Sequence, residues 1–184
     1  IIISSGDRVV GFLDDDPSAA DVGSIRVLGR ICDYGKYRDY EMIVAIGNSS
    51  IRQKLTERFE GVRWYTAVHP SAVISKIGVQ IGEGSAVMAN AVVNPCAVIG
   101  KHTIINTSAV VEHDNRIGDF SHISVGTHLG GTVTIGDHTW VGIGTSVKNN
   151  VSICSGCTIG AGTVVVRDIK ESGTYVGTPA RKVK

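Results

Sequence analysis

The chain has 184 residues, a formal net charge of +1 and no basic run, which argues against nucleic acid or an anionic membrane surface as its partner. No apolar stretch approaches membrane-spanning length, and four cysteines are too few for a secreted disulfide scaffold. The start at Ile1 has neither an initiating Met nor a signal-peptide layout, so the expectation is a cytoplasmic protein whose extreme N-terminus is missing. A change of texture near His69-Pro70 divides the chain into a mixed part, 1–68, and a repetitive part, 69–184 with a short C-terminal tail.

In the first part, Val9 to Leu13 reads as a buried strand and Met42 to Ile46 as a second. Ser49 or Ser50 is the expected N-cap of a helix that Gly61 stops, with Ile51, Leu55 and Phe59 along one face. Trp64 to Val68 is the third strand. Strands alternating with helices predict a small α/β, Rossmann-like unit whose ligand edge lies at the strand C-termini. Asp14, Asp15 and Asp16 follow the first strand and Gly47 and Asn48 the second, so both groups would converge on that edge to read a nucleotide or sugar. Asp-Asp-Asp-Pro is equally ordinary turn chemistry.

From Ile81 to Val165 every sixth residue is Ile, Val or Leu. A helix has period 3.6 and a strand period 2, so this is a repeat architecture in which one hexapeptide forms one side. Four places after each aliphatic the residue is small or β-branched, with Asn115 the departure. One place after it stands Gly or Asn at most repeats, Gly82, Gly100, Gly118, Gly130 and Gly142 among them, as expected of left-handed corners. Three sides make an eighteen-residue coil, and stacked coils would pair their strands in parallel. Five uninterrupted coils are expected: 81–98, 99–116, 117–134, 135–152 and 153–170. Cys154 and Cys157 form a C-x-x-C without a second pair or nearby His, so core filler is the reading and no metal is expected.

Position in the hexapeptide sorts the polar residues. His113, two places after Val111, should face outward beside Glu112 and Asp114. Either carboxylate could orient the ring. Gly131 stands one coil above His113 and, unlike Gly130, is not explained by a corner, so it would leave room for an acceptor. His122 is nine residues from His113, half a coil, so the two project from nearly opposite sides and could share a site only between subunits. Ile143 is outward and aliphatic, which suits a ligand or subunit contact.

The ordered series Asp14-Asp15-Asp16-Pro17, Ile46-Gly47-Asn48, His69-Pro70-Ser71-Ala72, hexapeptides carrying Glu112-His113-Asp114, and Val176-Gly177-Thr178-Pro179-Ala180 resembles one family along the whole chain. It is the sialic acid O-acetyltransferase and nucleotide-sugar N-acetyltransferase family of hexapeptide-repeat acyltransferases. The resemblance implies a left-handed parallel β-helix behind a small α/β domain, a homotrimer with sites between subunits, and acetyl-CoA as co-substrate. It implies N-acetylation of a UDP- or GDP-linked 4-amino-4,6-dideoxy sugar for surface glycan biosynthesis, with sialic acid O-acetylation as the alternative. It casts His113 as general base with Asp114 behind it, and Asn106 as an active-site residue, although Asn also suits a corner. His122, Ile143, Ala161, Gly177 and Arg181 would contact acetyl-CoA, Arg181 through a phosphate. Asp14, Asp15, Gly47, Asn48 and Gly131 would face the sugar substrate. Family members usually carry a Gly-Gly-His-Gly-like turn and a helix after the first strand. Here Ile3 runs straight into Ser4, so about twenty residues, one βα unit, are expected to be disordered at that junction.

Two readings of another class compete. A zinc-dependent carbonic anhydrase on the same coil needs histidines spaced H-x-x-x-x-H, whereas His113, His122, His128 and His138 are nine, six and ten apart. A non-catalytic scaffold would have no use for an outward Glu112-His113-Asp114.

Overall fold

A computed structural model describes every residue except Pro17 and Lys184. From Ala67 onward the chain winds as a left-handed β-helix with three parallel faces of mostly two-residue strands. The first face holds residues 80–81, 98–99, 116–117, 134–135 and 152–153. The second holds 67–68, 86–87, 104–105, 122–123, 140–141 and 157–159, and the third holds 73–74, 92–93, 110–111, 128–129, 146–147 and 164–165. Register advances by one coil at each step: Val98 pairs with Arg116, Ile104 with His122, and Val110 with His128. Ala67 and Val68 already pair with Ala86 and Val87, so the coil starts slightly before the expected boundary after residue 68.

The six-residue period fills the prism. Every aliphatic of the series from Val87 to Val165 is 3% exposed or less, while Ile81, at the open end of the stack, is only half-buried. The small inward positions serve a second purpose. Thr103 N–H donates to Ser85 Oγ at 2.9 Å, Ser121 N–H to Thr103 Oγ1 at 3.3 Å and Thr139 N–H to Ser121 Oγ at 3.2 Å, a hydroxyl ladder rising one coil at a time. Asn115 is buried and does the same work, its Oδ1 accepting from Val133 N–H at 2.6 Å. Cys157 also points inward, 3.5 Å from Cys154 Sγ, and burial pushes its thiol up to about 12.

The corner glycines need a different explanation from the one the sequence suggested. Positive φ falls three places after each aliphatic from Ile81 to Ile159, at Asn90, His102, Asp114, Phe120 and Gly126 among others, and not one place after. Gly82, Gly100, Gly118 and Gly136 instead form a stacked column. A Cβ on Gly82 would lie 2.6 Å from the Gly100 carbonyl carbon, so close approach between coils excludes a side chain.

The front domain is far less regular. The predicted strands shorten to two residues each, β1 (Phe12–Leu13), β3 (Glu41–Met42) and β4 (Arg63–Trp64), and β2 (Val27–Gly29) is a strand the sequence pattern did not predict. β1 pairs with β2 and β3 with β4, both in parallel, as two separate ribbons. Between them runs a groove of about 640 Å³ lined by Val9, Leu13, Val44, Ile46, Leu55 and Phe59. Ile3, Ser4 and Ser5 form a 3₁₀ turn, in which Gly6 N–H donates to Ile3 O and Ser5 N–H to Ile2 O, both at 3.1 Å. No strand among the described residues fills the groove. Without one neither Val9–Leu13 nor Met42–Ile46 is buried.

Helix α1 (Ser49–Arg58) is capped by Asn48 rather than by a serine, its Oδ1 accepting from Ile51 N–H at 3.0 Å. Its apolar face does not form a core: Ile51 is 46% exposed, and Leu55 and Phe59 face the groove. Arg52 is the buried residue of this helix instead.

Candidate active site

His113 follows the strand at 110–111, at the corner between the third and first faces, and is exposed together with Asp114. Asp114 takes the left-handed backbone of that corner, φ 60°, which turns its carboxylate back onto the preceding ring. His113 Nδ1 lies 2.8 Å from Asp114 Oδ2, whereas Glu112 accepts only from the His113 backbone N–H, at 3.3 Å. Asp114 is thus the carboxylate on the ring, and Nε2 is left to act as acceptor. A Cβ on Gly131 would come within 2.5 Å of that Nε2, so the absence of a side chain at Gly131 keeps the nitrogen open.

His122 lies on the second face, opposite the corner that bears His113, so one chain does not bring the two histidines together. It is half-buried, and burial, with the Arg52 charge adding, pushes its pKa down to about 4. Asn106 Nδ2 is 3.0 Å from His122 Nε2. Trp140, one coil later, stacks on the imidazole with centroids 5.8 Å apart and planes within 3°. Its indole N–H donates to Ser124 Oγ at 2.7 Å.

At the next corner Val125, Ile143 and Ala161 stack at one-coil intervals, linked by Gly144 N–H to Val125 O and Gly162 N–H to Ile143 O. Val125 is 40% and Ile143 60% exposed, an outward aliphatic stripe beside His122 and Trp140. The tail closes on this side: Val164 N–H donates to Gly177 O at 3.1 Å, and Ala180 N–H returns to Val164 O at 2.9 Å. Arg181 stays exposed and makes no ion pair among the described residues. The stripe and the tail offer an apolar wall with a free cation at its end, which fits a pantetheine arm and a phosphate. No cluster of three metal-ligating side chains occurs among the described residues.

In the front domain the polar groups hold their own turns. Asp14 Oδ1 accepts from Asp16 N–H, and Asp15 Oδ1 accepts from Ile31 N–H at 3.0 Å beside Arg30. Asn48 is occupied as the helix cap, and Gly47 O accepts from Arg52. Asp14 lines the groove together with Ile46, whereas Asp15, Gly47 and Asn48 do not.

Arg52 was not anticipated. It is 1% exposed and its guanidinium donates to the carbonyls of Ile46 and Gly47 in its own domain and of His102, Phe120 and Ser121 in the coil. No carboxylate among the described residues meets it; burial lowers its pKa to about 10, still well above neutrality, so carbonyl dipoles balance the charge. An aromatic run crosses the same junction, from Tyr34, Phe59 and Trp64 to His102, Phe120 and His138. Trp140 and Val125 were also missed, although each is one coil from a residue already singled out, His122 and Ile143.

Known proteins share this fold. Residues 1–59 match the PglD N-terminal domain and residues 132–167 the bacterial transferase hexapeptide (six repeats). The acetyltransferase domain of PglB from Neisseria gonorrhoeae, also solved in complex with acetyl coenzyme A, superposes with a TM-score of 0.93 at 35% identity, over 98% of this chain and 90% of that one. PerB from Caulobacter crescentus, in complex with CoA and GDP-perosamine, gives 0.94 at 37% identity over 100% and 89%. A UDP-N-acetylbacillosamine N-acetyltransferase of Bacillus subtilis is 43% identical over 53 residues, 28% of this chain. The chain spans only 21% and 24% of the lengths of the curated relatives it matches. With near-complete overlap on two solved relatives above 30% identity, the chain belongs to the family of sialic acid O-acetyltransferases and nucleotide-sugar N-acetyltransferases built on hexapeptide repeats.

Proposed function

We propose that the protein transfers an acetyl group from acetyl-CoA to the amine of a nucleotide-linked amino sugar of the 4-amino-4,6-dideoxyhexose type. The observation that carries this is the His113–Asp114 pair at 2.8 Å with Nε2 bare below Gly131. Bound acetyl-CoA supplies the activated acetyl group: the sugar C–N bond forms first, the C–S bond then breaks as the carbonyl is restored, and the thiolate leaves to be protonated. His113 Nε2 takes the proton that the attacking amine loses and passes it to the thiolate, so nothing beyond amide and free CoA accumulates. Asp114 holds the ring in the required tautomer and stabilises the imidazolium. His122, Ile143, Ala161, Gly177 and Arg181 line the acetyl-CoA side, and Asp14, Asp15, Gly47, Asn48 and Gly131 are assigned to the sugar nucleotide.

A site of this kind is incomplete in one chain, because His113 and His122 stand on opposite sides of the prism. The protein is therefore taken to act as a homotrimer whose neighbouring subunits contribute one histidine each, with exposed Val125, Trp140 and Ile143 flanking the cleft. No helix among the described residues is long and apolar enough to cross a membrane. The reaction is assigned to the cytoplasm, where acetyl-CoA is available, and its product to surface glycan biosynthesis.

Acetylation of a sugar hydroxyl, as in sialic acid, is the second reading, since one histidine base serves amine and hydroxyl alike. The test is CoA thiol release with UDP- and GDP-4-amino-4,6-dideoxy sugars and sialic acid as rival acceptors. Turnover with an amino sugar is expected, and turnover with sialic acid alone would overturn the assignment.

A further inference from the structure

We infer that Asn106 is a positioning residue that locks His122 as the neutral tautomer protonated on Nδ1, so that this imidazole is a hydrogen-bond donor to the thioester carbonyl oxygen and not a second base. The inference rests on the acetyl-transfer reading above for its substrate, but its structural half stands on hydrogen bonding alone. Asn106 Oδ1 accepts from Thr107 backbone N–H at 2.7 Å, and this fixes which way the amide faces. The group turned to His122 is therefore the NH₂, which has hydrogens and no lone pair to offer. At 3.0 Å from it, His122 Nε2 must be the acceptor, so the ring proton sits on Nδ1.

The rest of the surroundings hold the ring in that state. Trp140 covers one face and is itself anchored on Ser124, which limits rotation of the imidazole. Burial opposes a second proton, and Arg52 adds to that opposition, so the ring stays neutral through the physiological range. Nδ1 has no partner among the described residues and is not enclosed, so its hydrogen is available beside the Val125–Ile143–Ala161 stripe.

The two histidines are thereby set to opposite tasks. At His113 the carboxylate engages Nδ1 and leaves Nε2 as a lone pair. At His122 the amide engages Nε2 and leaves Nδ1–H as a donor. When the amine attacks, the carbonyl π electrons move onto oxygen, and a donor already aimed there requires no reorganisation. The electrons return as the C–S bond breaks, so His122 gives up no proton.

Long-range ¹H–¹⁵N spectra of the intact histidine-labelled protein read the tautomer directly. The wild type is expected to show His122 protonated on Nδ1, and Asn106→Asp, whose carboxylate requires a donor, to show it on Nε2. With that reversal kcat should fall about 100- to 1000-fold, the effect of losing one oxyanion donor, while KM for acetyl-CoA changes less than about threefold. An Nε2–H wild type, an unreversed Asn106→Asp, or reversal with wild-type kcat would each overturn the inference. The wild-type spectrum decides even if Asn106→Asp fails to fold. Absence of wild-type acetyl transfer would instead sink the functional reading and leave the tautomer untouched.

Discussion

The coil and the front domain are built on opposite principles. In the coil every side of the prism repeats one solution, with the aliphatic inside, a small or β-branched residue at the second inward position in nearly every hexapeptide, and the backbone paired above and below. In the front domain, among the described residues before Ala67, only Arg52 is buried, and two short ribbons flank an open groove. Regular burial makes a rigid frame on which two histidines keep fixed places. An unfilled sheet leaves the front domain dependent on its attachment, the three coil carbonyls that meet Arg52 and the aromatic run beside them. Stability thus belongs mainly to the coil, and the proposed selection of the sugar nucleotide to the part least able to stand alone.

This contrast can be broken at graded strengths. Ile123→Ala, inside the coil, should cost about 2–5 kcal/mol of unfolding free energy in denaturant melts. His113→Ala should lower kcat more than about a hundredfold while leaving the melting transition in place, because its side chain is exposed. Arg52→Met should detach the two regions: KM for the nucleotide sugar is expected to rise about tenfold, with a smaller change for acetyl-CoA, in steady-state assays. Acid should sharpen the picture at His122. Its folded pKa of about 4 lies below the ordinary 6.5, so the unfolded chain binds more protons between these values and stability falls as pH drops from about 6.5 to 4. The slope from this group is at most about 1.4 kcal/mol per pH unit, reduced by its partial exposure. His102 shifts in the same direction through burial, so the difference between wild type and His122→Asn isolates the His122 share in pH-dependent melts. Smallest of all, Ile51→Ala on the open helix face should move stability by no more than about 0.5 kcal/mol.

The coil was legible in the sequence because its period is the fold: each residue's place in the hexapeptide predicted its direction, and so set His113 outward and His122 opposite. The same rule, carried one coil on from His122 and one coil back from Ile143, reaches Trp140 and Val125. The role of the corner glycines was misread because a sequence shows that Gly is required but not whether φ or a neighbouring backbone requires it; Gly82 and Gly100 are cases of the second. The front domain resisted for another reason. Strand pattern in Val9–Leu13 and Met42–Ile46 presumes a partner on either side, and no strand among the described residues lies between them, so pattern and pairing part company. Arg52 had no signal at all, because an arginine on a helix reads as solvent-facing until five carbonyls of two domains are seen around it.

The central claim is that His113 and His122 serve one site from different subunits. Its most direct test is complementation: His113→Ala and His122→Ala proteins, each inactive, are unfolded together, refolded as mixed oligomers and assayed for acetyl transfer. In random trimers one interface in four pairs an intact His113 with an intact His122, so about a quarter of wild-type activity should return. Verified mixed oligomers that remain as inactive as either parent would contradict the account.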